Sequence, residues 1–308
     1  MRVYTDERML LHDAGAAQPE RPARLKCMLD RLQSEPLPGV QLHGTRLAEW
    51  AEIERVHDAD YVQKIQSLSG QVASLDWDTN IAEHSVPAAR LAAGAGLEAV
   101  DAILSGEILR AFAWVRPPGH HAERDRAMGY CIFNNIAIAA EHALQHDDIE
   151  RVLIVDWDVH HGNGTAHIFD ERADVLVFNC HQSPLYPGTG RADERGSGPG
   201  EGFTINVPLA AGCGDQEYEA AFLEHLLPAA AAFRPQLVLI SAGFDAHERD
   251  PLGSMQVTDA GFARLAGLVL DIANQHAQGR VLAMLEGGYD LEGLAGGVWA
   301  TMGVLREG

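Results

Sequence analysis

The run Arg151-Val-Leu-Ile-Val-Asp156-Trp-Asp158-Val-His160-His161-Gly-Asn163 decides the reading of this chain. Val152 to Val155 are uninterrupted apolar residues, the pattern of a parallel strand buried on both faces. Asp156, Asp158 and His160 follow at alternate positions. If the segment stays extended, all three side chains point to one side. Gly162 and Gly164 then let the chain turn away. Carboxylates beside an imidazole at the carboxyl end of a strand are ligands for a divalent metal. The plainer alternative is a strand that ends in solvated polar groups.

Working outward, strand and helix signals alternate to the end of the 308 residues. The alternation predicts one α/β domain over 1–308, with a mainly parallel central sheet and helices on both faces. Strand-like runs cover 2–4, 111–115, 152–156, 175–179, 203–207, 237–241 and 280–285. Helical patterns cover 22–32, 57–68, 88–104, 133–144, 216–233 and 258–276. After Val115, Asp156, Ser241 and Leu285 the apolar run gives way to a polar, glycine-rich segment. Open parallel sheets place their sites outside the carboxyl ends of strands, so these four loops are expected to converge.

Asp158, His160 and Asp245 offer one imidazole and two carboxylates, and three protein ligands are the open arrangement of a catalytic metal. Nitrogen and oxygen donors without thiolate suit zinc, with iron(II), manganese and cobalt as alternatives. Asp245 taken alone reads equally well as a helix cap. His120 and His121 follow a Pro-Pro-Gly turn that positions them rigidly. A divalent metal brings the pKa of water to about 7, and a neutral histidine accepts its proton. Asp156 and Asn163 are candidates to fix the histidine tautomers. Tyr289 sits behind Gly287 and Gly288, where a phenol donates to a developing oxyanion; a core tyrosine is the alternative.

A net charge of −21 argues against a nucleic-acid surface and favours cationic ligands. No apolar stretch reaches the roughly 18 residues of a membrane span. The opening residues go straight to charge, unlike a secretory signal. Four scattered cysteines without a CxxC pair predict a reducing compartment, hence the cytoplasm, and no structural disulfide. A homo-oligomer is compatible with the chain.

These segments together resemble the histone deacetylase family of the arginase/deacetylase fold, in particular its class II branch and bacterial homologues. The matching stretches are Arg116-Pro-Pro-Gly-His-His, Gly129-Tyr-Cys-Ile-Phe-Asn-Asn, Asp156-Trp-Asp-Val-His-His-Gly-Asn-Gly, Tyr186-Pro-Gly-Thr-Gly, Asn206-Val-Pro-Leu, Ser241-Ala-Gly-Phe-Asp and Glu286-Gly-Gly-Tyr, in family order. The resemblance implies zinc on Asp158, His160 and Asp245. It implies His121 as general base and acid, His120 paired with Asp156 as electrostatic partner, and Tyr289 polarising the scissile carbonyl. Asn163 stands where class I members have aspartate and would orient His121. Gly129, Tyr130 and Tyr186 would wall an acyl-lysine tunnel with Leu252 at its rim. Asp76 or Asp78 would hold the substrate backbone, and Arg24 would line an internal acetate cavity.

The resemblance also implies potassium on Asp156, Asp158, His160, Asn179 and Cys180, although the family has serine at position 179. A second monovalent site would use carbonyls around Phe169, Arg172, Val175 and Phe203. Gln18-Pro-Glu departs from the usual His-Pro-Glu, which would alter the entrance loop. The implied reaction is hydrolysis of an N-acyl amide, most simply acetylated lysine of a protein or peptide, releasing acetate. Acetylpolyamine hydrolysis is the alternative, disfavoured by apolar Leu252. A catalytically idle acyl-lysine binding module, an arginase-type two-metal hydrolase and a purely structural metal fit the motifs less well.

Overall fold

Apolar runs without alternation belong in sheets covered on both faces, and that is where they lie. The computed structural model describes residues 1–15 and 18–307. Its strands are β1 (Arg2–Tyr4), β2 (Gln41–His43), β3 (Ala73–Ser74), β4 (Asn80–Ile81), β5 (Arg110–Ala113), β6 (Val152–Asp156), β7 (Val175–Gln182), β8 (Thr204–Leu209), β9 (Leu237–Ala242) and β10 (Val281–Leu285). β3 and β4 form a short antiparallel pair. The other eight form one sheet in the order β2-β1-β5-β10-β9-β6-β7-β8. Every neighbouring pair in it is parallel. Each residue of β5, β6, β7, β9 and β10 is buried.

The helices are α1 (Ala23–Ser34), α2 (Trp50–Ile53), α3 (Ala59–Ser67), α4 (Ser85–Leu104), α5 (Asn135–Ala143), α6 (Asn163–Ile168), α7 (Asp215–Ala221), α8 (Leu227–Phe233), α9 (Asp259–His276) and α10 (Leu291–Glu307). α4 and α5 pack on each other and on β1, β5, β6, β9 and β10; α9 and α10 pack on each other and reach β9 and β5. This is the expected α/β architecture of a parallel sheet flanked by helices. Among the described residues no helix is long and apolar enough to cross a membrane.

Strands β2, β3 and β4 and the short helices α2 and α6 have no expected counterpart, and two longer helical segments also depart from expectation. The helix expected over 216–233 is split by a π-turn, Phe222–Leu226, where the N–H of Leu227 reaches the carbonyl of Phe222. Pro228 follows directly. Its ring would clash with the carbonyl four residues back, and a wider turn relieves that. α10 has no expected counterpart, because four glycines lower its helix propensity. Packing explains three of them, among them Gly293, where a Cβ would stand 2.8 Å from the His247 ring. A Cβ at Gly296 or Gly297 would sit 2.3 Å from the Asp259 side chain or 2.5 Å from the Phe244 ring.

Candidate active site

Asp156 ends β6, and the extended backbone stops there. The expectation that Asp156, Asp158 and His160 alternate along one strand is therefore corrected. Asp156 Oδ1 accepts the Asp158 N–H at 3.0 Å, and Asp158 Oδ1 accepts the His160 N–H at 2.9 Å. Aspartate favours such a bond two residues onward over continuing a strand. The resulting curl sends Asp156 to His120 and brings Asp158 and His160 to Asp245.

His160 Nδ1 lies 3.0 Å from Asp158 Oδ1 and 3.1 Å from Asp245 Oδ2. The three ligand atoms lie within 4.8 Å of one another. The outer carboxylate oxygens are tied down: Asp158 Oδ2 accepts the Gly287 N–H at 2.8 Å, and Asp245 Oδ1 accepts the Val159 N–H at 2.9 Å. The inner oxygens are thereby aimed at a common point. A Cβ at position 287 would stand 2.0 Å from Asp245 Oδ2, so only glycine permits this approach. Burial opposes charge on His160, yet the two carboxylates raise its imidazole to about 10. Burial and the Asp158 charge raise Asp245 to about 7. The cluster thus demands positive charge at its centre, and its donors fit a divalent metal with open positions.

His120 and His121 lie with ring centroids 4.0 Å apart and planes tilted by 41°, but have opposite partners. His120 Nδ1 is 2.9 Å from Asp156 Oδ2. Burial works against its positive charge, but Asp156 and Asp158 outweigh burial and hold His120 well above the usual imidazole range. His121 Nδ1 is 2.8 Å from Asn163 Oδ1. Asn163 is itself oriented, because its Nδ2 donates to Glu123 Oε1 at 2.6 Å. An amide oxygen only accepts, so His121 carries its proton on Nδ1 and leaves Nε2 free. Burial, then His120 and His160, push His121 well below the usual range. The pair therefore holds one charged and one neutral ring.

Tyr289 lies in the loop after β10. Asp250 Oδ2 accepts the backbone N–H groups of Tyr289 and Asp290 at 2.6 and 3.1 Å, and Asp250 Oδ1 accepts that of Leu252 at 3.0 Å. Burial and the Asp245 charge keep the phenol well above its usual pKa, hence a donor. Arg24 sits behind it with Cζ 5.0 Å from the ring, donating to the carbonyls of Gly288 and Glu286.

His121, His160 and Tyr289 open onto one pocket of about 190 Å³, walled by Gly129, Tyr130, Tyr186, Leu185 and Leu252, with Trp77 and Asp78 at its edge. The Tyr186 ring stands edge-on 5.1 Å from His121. Gly129 and Tyr130 both adopt positive φ, 56° and 66°. Their N–H groups are held by Asp78 Oδ1 at 3.2 Å and Thr79 Oγ1 at 3.0 Å. Of the two rim aspartates, Asp78 lines the pocket; Asp76 turns back onto the Trp77 N–H at 2.6 Å. Gln18 donates to the Asp78 carbonyl at 3.2 Å, which ties the sequence departure at 18 to the entrance.

A histone deacetylase domain family matches residues 18–305. The chain belongs to the histone deacetylase family. It is 43% identical over 314 residues to histone deacetylase 15 of Arabidopsis thaliana, covering 98% of this chain and 56% of that protein. It is 44% identical over 314 residues to human polyamine deacetylase HDAC10, covering 96% and 46%. Identity to a histone deacetylase-like amidohydrolase of Pseudomonas aeruginosa is 43% over 279 residues, covering 90% and 73%. The crystal structure of the HDA15 HD domain superposes with a TM-score of 0.94 at 42% identity, over 100% of this chain and 91% of that one. The chain spans about half the length of the first two curated relatives.

The residues that the family resemblance assigns to potassium fall in two places. Asp156 and Asn179 are register neighbours on β6 and β7, with Cys180 next along the strand. Asn179 Oδ1 is buried and has no hydrogen-bond partner, while its Nδ2 donates to Asn206. Farther along, the Phe169 carbonyl accepts the Arg172 N–H, and the Phe203 carbonyl accepts that of Val177 on the strand that begins at Val175. Each of these two carbonyls keeps a second lone pair.

Sequence reasoning left Asp250, Glu123 and Glu286 without roles. Glu286 is fully buried, and its Oε2 accepts the Gly119 and His120 N–H groups at 2.6 and 3.1 Å. Its place beside Gly287 and Tyr289 was the available signal. Asp250 and Glu123 act through backbone and amide contacts that only folding brings together.

Proposed function

We propose that this chain is a metal-dependent amidohydrolase that removes acetyl groups from amines, with acetyl-lysine side chains as preferred substrate. The observation that carries this reading is that His160 of the Asp158–His160–Asp245 cluster, His121 with its bare Nε2, and Tyr289 open onto one narrow pocket. Asp158, His160 and Asp245 would hold zinc, or iron(II) in its place; when bound, the ion polarises the amide carbonyl and acidifies water.

The protein's own groups supply the rest. Tyr130 and Tyr186 flank the aliphatic arm of the substrate, and Asp78 faces its backbone N–H. His121 Nε2 takes the proton of the attacking water. The Tyr289 hydroxyl donates to the oxyanion as it forms. His120, held charged by Asp156, stabilises that anion. The proton stored on His121 then passes to the departing amine. Asn163 keeps His121 in the accepting tautomer throughout.

Acetylated polyamine is the second reading. The human relative named a polyamine deacetylase and the −21 charge favour it, whereas Leu252 at the rim offers no carboxylate to a second ammonium. Potassium beside Asp156, with Asn179 Oδ1 and the Cys180 carbonyl as ligands, and a second ion near Phe169 and Phe203 belong to the same proposal. So do a cytoplasmic location and one domain over the whole chain. The test is acetate release from acetyl-lysine peptides and acetylspermidine, before and after chelation and zinc add-back. Chelator-insensitive release, or none from either substrate class, overturns the reading.

A further inference from the structure

The strand-end pocket contains no residue of α4 or α5. On those two helices stands another group of metal-ligating side chains. His142 lies in the last turn of α5, and His146 follows four residues on, just beyond its end. That spacing puts two side chains on one side of a helical segment. Their ring centroids are 5.7 Å apart. Facing them from the last turn of α4 is Asp101, whose Oδ1 is 2.6 Å from His142 Nε2 and 3.8 Å from His146 Nε2. The three ligand atoms lie within 4.8 Å of one another.

We infer that Asp101, His142 and His146 form a second divalent-metal site, at the surface, that clamps α4 to α5. Two imidazoles and one carboxylate suit zinc, nickel or copper rather than calcium or magnesium, which prefer oxygen donors. Asp101 and His146 are about half exposed, with side-chain accessibilities of 51% and 41%, so an ion arrives without unfolding and completes its shell with water.

The competing arrangement is a hydrogen bond between His142 Nε2 and Asp101 alone. Arg55 favours it. Its Nη1 lies 3.3 Å from His142 Nδ1. A guanidinium only donates, so Nδ1 accepts and the ring proton sits on Nε2, facing Asp101. Metal at Nε2 requires that proton on Nδ1, and hence requires the exposed Arg55 side chain to swing away. The guanidinium therefore competes with the ion, which makes its removal informative.

The experiment is calorimetric titration of the zinc-loaded protein with further Zn²⁺, with melting temperature as a parallel readout. Wild type should bind a second equivalent and melt higher with it. His146→Ala and His146→Gln should lose at least the roughly tenfold affinity that even indirect supports of a metal contribute, and should lose the thermal shift. Deacetylation at one equivalent of zinc should not change. Arg55→Ala should bind the second ion several-fold more tightly. Asp245→Asn should lose the tight equivalent but keep the weaker one, separating this site from the active centre. No second equivalent in wild type, or one unaffected by His146→Ala, overturns the proposal.

Discussion

The two adjacent histidines differ in what their Nδ1 atoms meet. Aspartate opposite His120 holds it charged; the asparagine opposite His121 fixes a tautomer without supplying charge. In the proposed reaction, proton acceptance and anion stabilisation would thus be divided before substrate arrives. Tyr289 is the third party, and its aromatic ring keeps its packing when the hydroxyl is removed. Tyr289→Phe should lower kcat by roughly 10² to 10³, the scale of one oxyanion donor, with little change in KM. Near-normal turnover would remove Tyr289 from the reaction. The ligand residues carry a pH prediction. Without the ion, His160 is raised to about 10 and Asp245 to about 7. Both hold protons at pH 6 and must lose them to ligate. Metal affinity should therefore rise with pH between 6 and 8, by about tenfold per unit for each proton released. A dissociation constant that stays flat over this range would contradict the assigned ligands.

Strand ends rather than strands make the chemistry, and they tolerate no bulk. Gly287 follows β10 where Asp245 and Asp158 converge, leaving no room for a methyl group. Gly287→Ala should retain the circular dichroism of the fold but purify without stoichiometric metal; a fully metallated variant would show that the loop yields and that the cluster is not the site. Much at this scale is legible in the sequence. Val152–Asp156 reads as a buried strand because its apolar run has no alternation, and the structure gives the same bounds. The loops after β5, β6, β9 and β10 announce themselves by glycine and polar residues following such runs. Other features depend on partners distant in sequence. The curl after Asp156 is set by side-chain bonds to its own backbone. Strand β2 is three mostly exposed residues, ordered by pairing with β1. Helix α10 hides behind glycines, three of which are explained by packing against His247, Asp259 and Phe244. Asp250 carries no role in the sequence until the Tyr289 backbone is found against it.

For the whole molecule, the −21 charge acts at distances no single contact reaches. A cleft in a strongly acidic protein raises the local concentration of cations and the rate at which they arrive. Acetyl-lysine itself is neutral, so the field acts on what surrounds it: neighbouring lysines and arginines in a peptide, or the free ammonium groups of an acetylated polyamine. Screening sets the range, with a Debye length of about 10 Å at 0.1 M salt and about 3 Å at 1 M. The encounter should therefore depend on salt while the buried chemical step does not. For an acetyl-lysine peptide flanked by arginines, kcat/KM should fall several-fold as choline chloride is raised from about 0.05 to 0.5 M at fixed potassium. The kcat at saturation should stay level. A neutral acetyl-lysine amide should show neither change. An equal fall for the neutral compound would place the salt effect in the protein's structure rather than in steering, and an increase for the cationic peptide would mean that its charges meet repulsion at the entrance.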